Sequence, residues 1–136
     1  MKASELRVSN WIKLFLGLSD NVPEYLELQI NGVMVQNEEE YILLRNTWTK
    51  LENNIEPIEL TEEKLMEFGF EKCLNGYWCE KELLNVKISK HSVIEIYLSG
   101  SDTDLALNGI QFVHQLQNLY FALANEELTI KPIQKH

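Results

Sequence analysis

The residues with the most evident chemical potential lie on one side of a helix predicted near the C-terminus. They are Gln111, His114, Gln115 and Asn118, which recur at intervals of three or four residues. Amides and an imidazole can hydrogen-bond a partner without the desolvation cost of a charged group. We therefore expect this uncharged polar face to bind a partner, and the alternative is a face that meets solvent or is partly covered by a terminal segment.

The same residues do not predict an active site. A catalytic histidine needs a nucleophile or an orienting acid, and no Gly-x-Ser-x-Gly or Cys/His arrangement accompanies His114. A metal site would need a second ligand one helical turn on, where Gln117 and Asn118 stand. Asp102 and Asp104 resemble the opening of a calcium loop, but the apolar residues that follow break its pattern. We expect no catalytic residue, no metal and no cofactor.

Two cysteines flank a predicted turn at Asn75-Gly76. A two-residue type I′ turn there sets Cys73 opposite Trp78 and places Cys73 and Cys79 on opposite faces of a hairpin. A disulfide cannot join opposite faces, and two cysteines alone cannot complete a zinc site. The sequence therefore predicts two buried or half-buried thiols.

The net charge of −9 is concentrated in two acidic segments. Residues 20–40 carry six carboxylates and no Lys or Arg, and residues 52–71 carry seven glutamates offset by Lys64. Such surfaces repel phosphate backbones, so direct nucleic-acid binding is not expected. No stretch approaches the roughly 20 apolar residues of a membrane span, and the first residues lack the apolar core of a signal peptide. We expect a cytoplasmic protein that does not enter a membrane.

The N-terminal half predicts short antiparallel strands. Leu26 to Gln36 alternates apolar and polar residues around Asn31-Gly32, which predicts a hairpin turning at that dipeptide. The strand predicted before it, Arg7 to Leu16, places Val8, Ile12 and Leu14 on one face and two aromatic residues on the other. Those aromatic residues are Trp11 and Phe15. A third strand follows near residues 41–44, and we expect residues 1–60 to form a curled sheet or partial barrel.

The C-terminal half predicts helices at both ends of a second meander. Thr61 can cap a short helix of about 61–68, and Gly69 fits the position after its end. Four strands are then predicted between residues 70 and 98. A long amphipathic helix of about 109–124 closes the chain, because apolar residues recur at helical spacing there. The class is α+β, in one domain of residues 1–136 with a possible division into 1–60 and 61–136.

Three segments resemble a family of small uncharacterised proteins from phage and mobile-element regions of gut anaerobic bacteria. These segments are Met1 to Trp11, Ile55 to Phe70 and Val113 to Leu123, and in order and spacing they cover nearly the whole chain. Relatives of this type often have Gly where Ser9 stands and an apolar or small residue where Glu59 stands. The resemblance implies an intracellular single-domain protein, and the family has no established activity.

The composition and motifs together favour a non-enzymatic protein-interaction or accessory module of a phage or mobile element, with a protein as partner. One alternative is an acidic DNA mimic that inhibits a DNA-handling protein of the host, suggested by the two acidic segments. A second alternative is a small hydrolase or nuclease, for which the sequence offers no motif.

Overall fold

The computed structural model describes residues 1–52, 54–73, 78–80, 84–89, 93–98, 106–107 and 109–130. The protein is α+β, mostly antiparallel strands with two α-helices. A 3-10 turn at Ala3–Glu5 comes first. The elements that follow are β1 (Trp11–Ser19), β2 (Val22–Gln36), β3 (Glu39–Leu44), β4 (Thr47–Lys50), β5 (Ile55–Pro57), α1 (Glu62–Glu67), β6 (Glu71–Lys72), β7 (Trp78–Glu80), β8 (Leu84–Ile88), β9 (Ile94–Leu98), β10 (Ala106–Leu107) and α2 (Val113–Ala124).

The chain divides into two compact units. Unit 1 comprises Met1–Ile58 and Phe112–Asn118, and unit 2 comprises Glu59–Gln111 and Leu119–His136. Unit 1 contains an antiparallel sheet in the order β4-β3-β2-β1-β5, and unit 2 contains one in the order β10-β9-β8-β7-β6. The boundary between the two units at Ile58 and Glu59 lies close to the division into 1–60 and 61–136 considered from the sequence. The single domain stays a prediction.

The hairpin predicted at Asn31-Gly32 is wrong. β2 runs through this dipeptide for 15 residues, and the chain turns at Asp20-Asn21 and Asn37-Glu38, where all four residues have positive φ. The β2–β3 register shifts between Ile30 and Gly32, so Asn31 is an extra residue, a β-bulge. Asn and Gly suit a bulge as well as a turn, and the alternation of Leu26 to Gln36 fits either geometry.

One face of the unit 1 sheet packs into an aliphatic core. Ile12, Ile30 and Ile42 are fully buried, and Leu14 and Leu28 pack against them. The register places these residues on the same side, since Ile12 lies opposite Leu28 and Val33 lies opposite Ile42. The opposite side of the same sheet carries the surface described below.

In unit 2, the predicted short helix has both of its expected ends. The Thr61 hydroxyl accepts a hydrogen bond from the Lys64 N–H at 3.2 Å, as an N-cap does. Gly69 has a φ of 88°, and the Phe70 N–H donates to the Leu65 carbonyl at 2.9 Å. The helix therefore ends in the left-handed residue that the sequence indicated.

The prediction of two thiols is wrong for Cys73, which is exposed and disulfide-bonded. The β6–β7 register pairs Glu71 with Cys79 and Lys72 with Trp78, one residue away from the predicted pairing. Because alternate residues of a strand share a face, this register places the backbone positions of Cys73 and Cys79 on the same side. Cys79 is the only other cysteine in the sequence. The predicted turn at Asn75-Gly76 lies outside the described residues.

The second sheet has the four predicted strands, β6 to β9, and a fifth, β10. The last helix is shorter than the predicted 109–124, because α2 has 12 residues and begins at Val113. The N–H of Val113, its first residue, donates a hydrogen bond to the Ile58 carbonyl at 2.8 Å. Asn125, with a φ of 57°, ends the helix. In the described part of the chain, no helix is long and apolar enough to cross a membrane.

Candidate functional site

The predicted partner-binding face of α2 is largely engaged within the protein. Gln111 is exposed, whereas Gln115 and Asn118 are half-buried and His114 is only 2% exposed. The Gln115 side-chain oxygen accepts a hydrogen bond from the Phe112 N–H at 3.1 Å, next to the start of the helix. His114, Gln115 and Asn118 lie in α2 and are buried or half-buried, whereas Gln111 precedes the helix. The role of this face in partner binding stays a prediction.

Asn118 joins the helix to the segment before β1. Its side-chain oxygen accepts hydrogen bonds from the Arg7 guanidinium at 2.8 Å and from the Asn10 amide at 2.9 Å. Its amide nitrogen donates to the Glu5 carbonyl at 2.8 Å. Asn10 is fully buried, and its own oxygen accepts from the Arg7 N–H at 2.7 Å. The bonded amides fix the course of the N-terminal segment against the helix.

Gln117 is the member of this network that the sequence analysis missed. It is fully buried, its oxygen accepts from the Trp11 N–H at 2.8 Å and its nitrogen donates to the Ser9 carbonyl at 2.9 Å. The sequence signal for the burial of Gln117 was its position in the helix. Position 117 follows Val113 by four residues and precedes Tyr120 by three, so a single glutamine interrupts an apolar stripe. A buried amide at such a place needs specific partners, which the Ser9–Trp11 backbone supplies.

His114 lies beside this network without joining it. Neither of its ring nitrogens has a hydrogen-bond partner in the described part of the chain, and its ring stacks on Phe112 with centroids 6.0 Å apart. Burial lowers the pKa of His114, and the negative charge of Glu5 opposes that shift in part. His114 is therefore held in its neutral form, which suits packing.

The outer side of the unit 1 sheet carries the most unusual surface. We name it the outer aromatic face and define it by the register as the side opposite Ile12, Ile30 and Ile42. It comprises Trp11, Lys13, Phe15, Leu18, Pro23, Tyr25, Glu27, Gln29, Gly32, Met34, Gln36, Glu39, Tyr41, Leu43, Trp48, Lys50 and Glu56. Trp11 and Phe15 were predicted to lie on the side of their strand opposite Ile12 and Leu14, and the register confirms both positions.

Large apolar side chains on this face reach solvent. Leu18 is 66% exposed, Trp48 45% and Tyr25 39%. The Phe15 and Tyr25 rings contact each other in a tilted geometry with centroids 5.6 Å apart. A core sheet normally alternates apolar residues inward with polar residues outward, so five aromatic residues on the outward side require an explanation.

Trp48 is seated on the strand beside it because Gly32 has no side chain. A Cβ atom at position 32 would lie 3.0 Å from the Cη2 atom of Trp48. The register places Gly32 opposite Leu43 and Leu43 opposite Trp48, so the indole reaches over β3 to β2. The absence of a side chain at Gly32 thus leaves room for the indole over β2.

Two tyrosines on the outer aromatic face, exposed Tyr25 and half-buried Tyr41, each hydrogen-bond a carboxylate. The Tyr41 hydroxyl donates to Glu39 at 2.8 Å, and the Lys50 ammonium contacts the same carboxylate at 3.1 Å. Both contacts lower the pKa of Glu39, the tyrosine bond first. The hydrogen bond to Glu39 in turn raises the pKa of Tyr41.

Tyr25 has the same arrangement. A hydrogen bond with Glu56 raises the pKa of Tyr25, and the Lys13 ammonium lies 4.3 Å from the centroid of its ring. Lys13 stands opposite Glu56 in the β1–β5 register. Glu39 is thus paired with Lys50, and Glu56 and Lys13 both contact Tyr25.

Unit 1 also has an acidic cavity of about 280 Å³. Its lining consists of Met1, Glu38, Glu39, Glu40, Lys50, Leu51 and Glu52. Glu40 accepts a hydrogen bond from the Ala3 N–H at 3.1 Å, and Glu39 is paired with Lys50. Across the described ranges, no group of three or more His, Cys, Asp or Glu residues has the geometry of a metal site.

Comparison with protein-family models, with curated proteins and with solved structures found no match to the chain. The function is therefore argued from the geometry of these surfaces.

Proposed function

We propose that this protein is a non-enzymatic interaction module and that its contact surface is the outer aromatic face. The observation that carries the proposal is the placement of Trp11, Phe15, Tyr25, Tyr41 and Trp48 on the outward side of one sheet. Aromatic residues, Met and Arg are enriched in the buried centres of protein interfaces, where Lys and Glu are depleted. Trp and Tyr also dominate the residues that contribute most to binding.

The fixed positions of the rings also support this role. Ordering a flexible side chain at an interface costs about 0.5–1.5 kcal/mol, and a side chain that is already held avoids part of that cost. Tyr41 is held by Glu39, Tyr25 contacts both Phe15 and Lys13, and Trp48 rests on Gly32. The free protein thus presents the surface in a form ready to bind.

The experiment that tests the proposal compares two substitutions of equal chemistry. Leu18→Lys places a charge on the outer aromatic face, and Val35→Lys makes the same change at a residue that is 63% exposed on the other side of the sheet. Each tagged variant is used to capture partners from the cells that produce the protein. Captured proteins are then purified and their affinities for each variant are measured directly.

We expect Leu18→Lys to weaken direct binding of a captured protein about tenfold or more, corresponding to 1.4 kcal/mol or more. Val35→Lys should leave that affinity unchanged. Equal affinities of the two variants would remove the outer aromatic face from consideration. Binding abolished instead by Gln111→Lys would return the contact surface to the predicted α2 face.

A second candidate function rests on the acidic cavity. Glu38, Glu39, Glu40 and Glu52 gather four carboxylates around one concavity, which supports a DNA mimic acting on a DNA-handling protein. This function predicts binding that weakens steeply as salt increases and that DNA competes away. Binding through the outer aromatic face should not weaken as salt increases and should not be competed by DNA.

Other expectations from the sequence remain proposals. The origin in a phage or mobile element rests on the resemblance alone, and a hydrolase or nuclease activity has no supporting geometry in the described residues. We infer that the unit 1 sheet curls, because β2 pairs with β1 before its bulge and with β3 after it. The cytoplasmic location is less well supported, since the disulfide at Cys73 is typical of oxidising compartments.

A further inference from the structure

We infer that the outer aromatic face binds a second copy of this chain, so that two sheets pack face to face across a two-fold axis. This inference rests on the proposed function, because it uses the same surface and names its occupant. Most soluble oligomers are symmetric, and in a two-fold dimer the same patch serves both partners. The patch must therefore be compatible with itself in shape and in charge.

Charge is the first argument for a self-complementary surface. The chain carries −9, yet the outer aromatic face holds two lysines and three glutamates, which leaves it near neutrality at −1. Lys50 is paired with Glu39 at 3.1 Å, and Lys13 lies beside Tyr25 and opposite Glu56. Two copies can meet on this face without opposing unpaired carboxylates. The cavity edge around Glu38 and Glu52 has no such neutrality, so two copies would repel there.

Area is the second argument. At about 3.3 Å per residue and 4.8 Å between strands, the five strands of unit 1 cover a footprint on the order of 600 Å². A standard protein interface buries about 800 Å² of accessible surface per partner, and a corrugated layer of side chains exposes more area than its footprint. The outer aromatic face is therefore large enough for a dimer of moderate affinity.

The experiment is sedimentation equilibrium of the full chain from about 1 µM to 1 mM, the range in which such an interface should dissociate. Each series is run at about 0.05 M and 0.5 M NaCl. The variants are Leu18→Lys, the control Val35→Lys, and Gly32→Ala, which displaces Trp48 while leaving every charge in place.

We expect a monomer–dimer equilibrium that strengthens with salt, because screening reduces the repulsion between two chains of −9 while apolar contacts persist. Leu18→Lys should raise the dissociation constant about tenfold or more, and Gly32→Ala should raise it as well. Val35→Lys makes the same change of charge and should match the unsubstituted protein.

Three results would overturn the dimer. They are a monomer at every concentration, an association that weakens with salt, and an association that Leu18→Lys and Val35→Lys affect equally. If the protein is a monomer but Leu18→Lys still abolishes binding of a partner protein, the dimer is refuted and the proposed interaction function stands. Circular dichroism of each variant separates loss of the dimer from loss of the fold.

Discussion

The side-chain oxygen of Gln117 accepts a hydrogen bond from the backbone N–H of Trp11 at 2.8 Å, across 106 residues of sequence. The same amide donates to the Ser9 carbonyl, so a single side chain fixes the backbone immediately before β1. Trp11 begins β1 and is also a member of the outer aromatic face. The position of that face relative to the first turns of α2 therefore depends on a buried glutamine.

Replacing Gln117 with Met should destabilise the protein by about 1–3 kcal/mol, the cost of one unsatisfied buried group. Methionine keeps the volume, but the Trp11 N–H loses its partner. The Ser9 carbonyl still accepts a hydrogen bond from the Gln29 side chain at 3.0 Å. Urea unfolding followed by tryptophan fluorescence measures the change. Gln36→Met, at an exposed strand position, should stay within about 0.5 kcal/mol. Equal midpoints for the two variants would contradict the structural role of Gln117.

Signals within a few residues of sequence were sufficient to predict the helix α1 and the two faces of β1. The capping threonine and terminal glycine of α1 act within a few residues of the helix, and both are present as predicted. The alternation around Ile12 and Leu14 likewise separated the core face from the aromatic side. Because these features depend on residues that are close in sequence, the spacing of polar and apolar residues is sufficient to predict them.

Features that depend on distant or ambiguous partners were not predictable. Asn31-Gly32 fits both a turn and a bulge, and the choice depends on which strands pair with β2. The β6–β7 register differs by a single residue from the predicted one, and that shift is enough to change which residues share a face of the sheet. The polar side of α2 turns inward because the segment from Glu5 to Trp11 binds it, and no local pattern encodes that meeting.

Replacing Ser9 with Gly should stabilise the protein by about 0.5–1 kcal/mol. Ser9 has a φ of 81°, a conformation that strains an L-residue with a side chain and that glycine adopts freely. Thermal unfolding measures the change.

The matched control is Ser19→Gly, at an exposed strand position whose φ is not positive. Ser19 ends β1, and glycine loses more backbone freedom on folding than serine, so this variant should lose up to about 0.5–1 kcal/mol. The two substitutions are chemically identical and should act in opposite directions. A loss of stability in both would show that Ser9 is not strained.

Stability should fall as the pH drops below about 6.5, in part through His114. Burial lowers the pKa of His114 in the folded protein, so the unfolded chain takes up its proton first. The free energy of unfolding then decreases by up to about 1.4 kcal/mol per pH unit until the pH reaches the lower, folded pKa. Above about pH 7.5 both states are neutral at this residue, and its contribution is complete.

His114→Phe should remove this part of the pH dependence. Phenylalanine retains a ring for stacking on Phe112 and has no nitrogen to protonate or to leave without a hydrogen bond. Urea unfolding at several pH values between about 5 and 7.5 gives the slope for each protein. Parallel slopes for the two proteins would show that His114 does not titrate differently on folding.

Reduction should destabilise the protein by about 2 kcal/mol if Cys73 is bonded to Cys79, because the bond closes a loop of about seven residues. The unreduced protein, unfolded in denaturant, should then show no thiol that reacts with a thiol reagent. Cys73→Ser should be as unstable as the reduced protein, and reducing agent should not change it further. Two reactive thiols per unreduced chain would instead restore the thiols predicted from the sequence, and with them the argument for a reducing compartment.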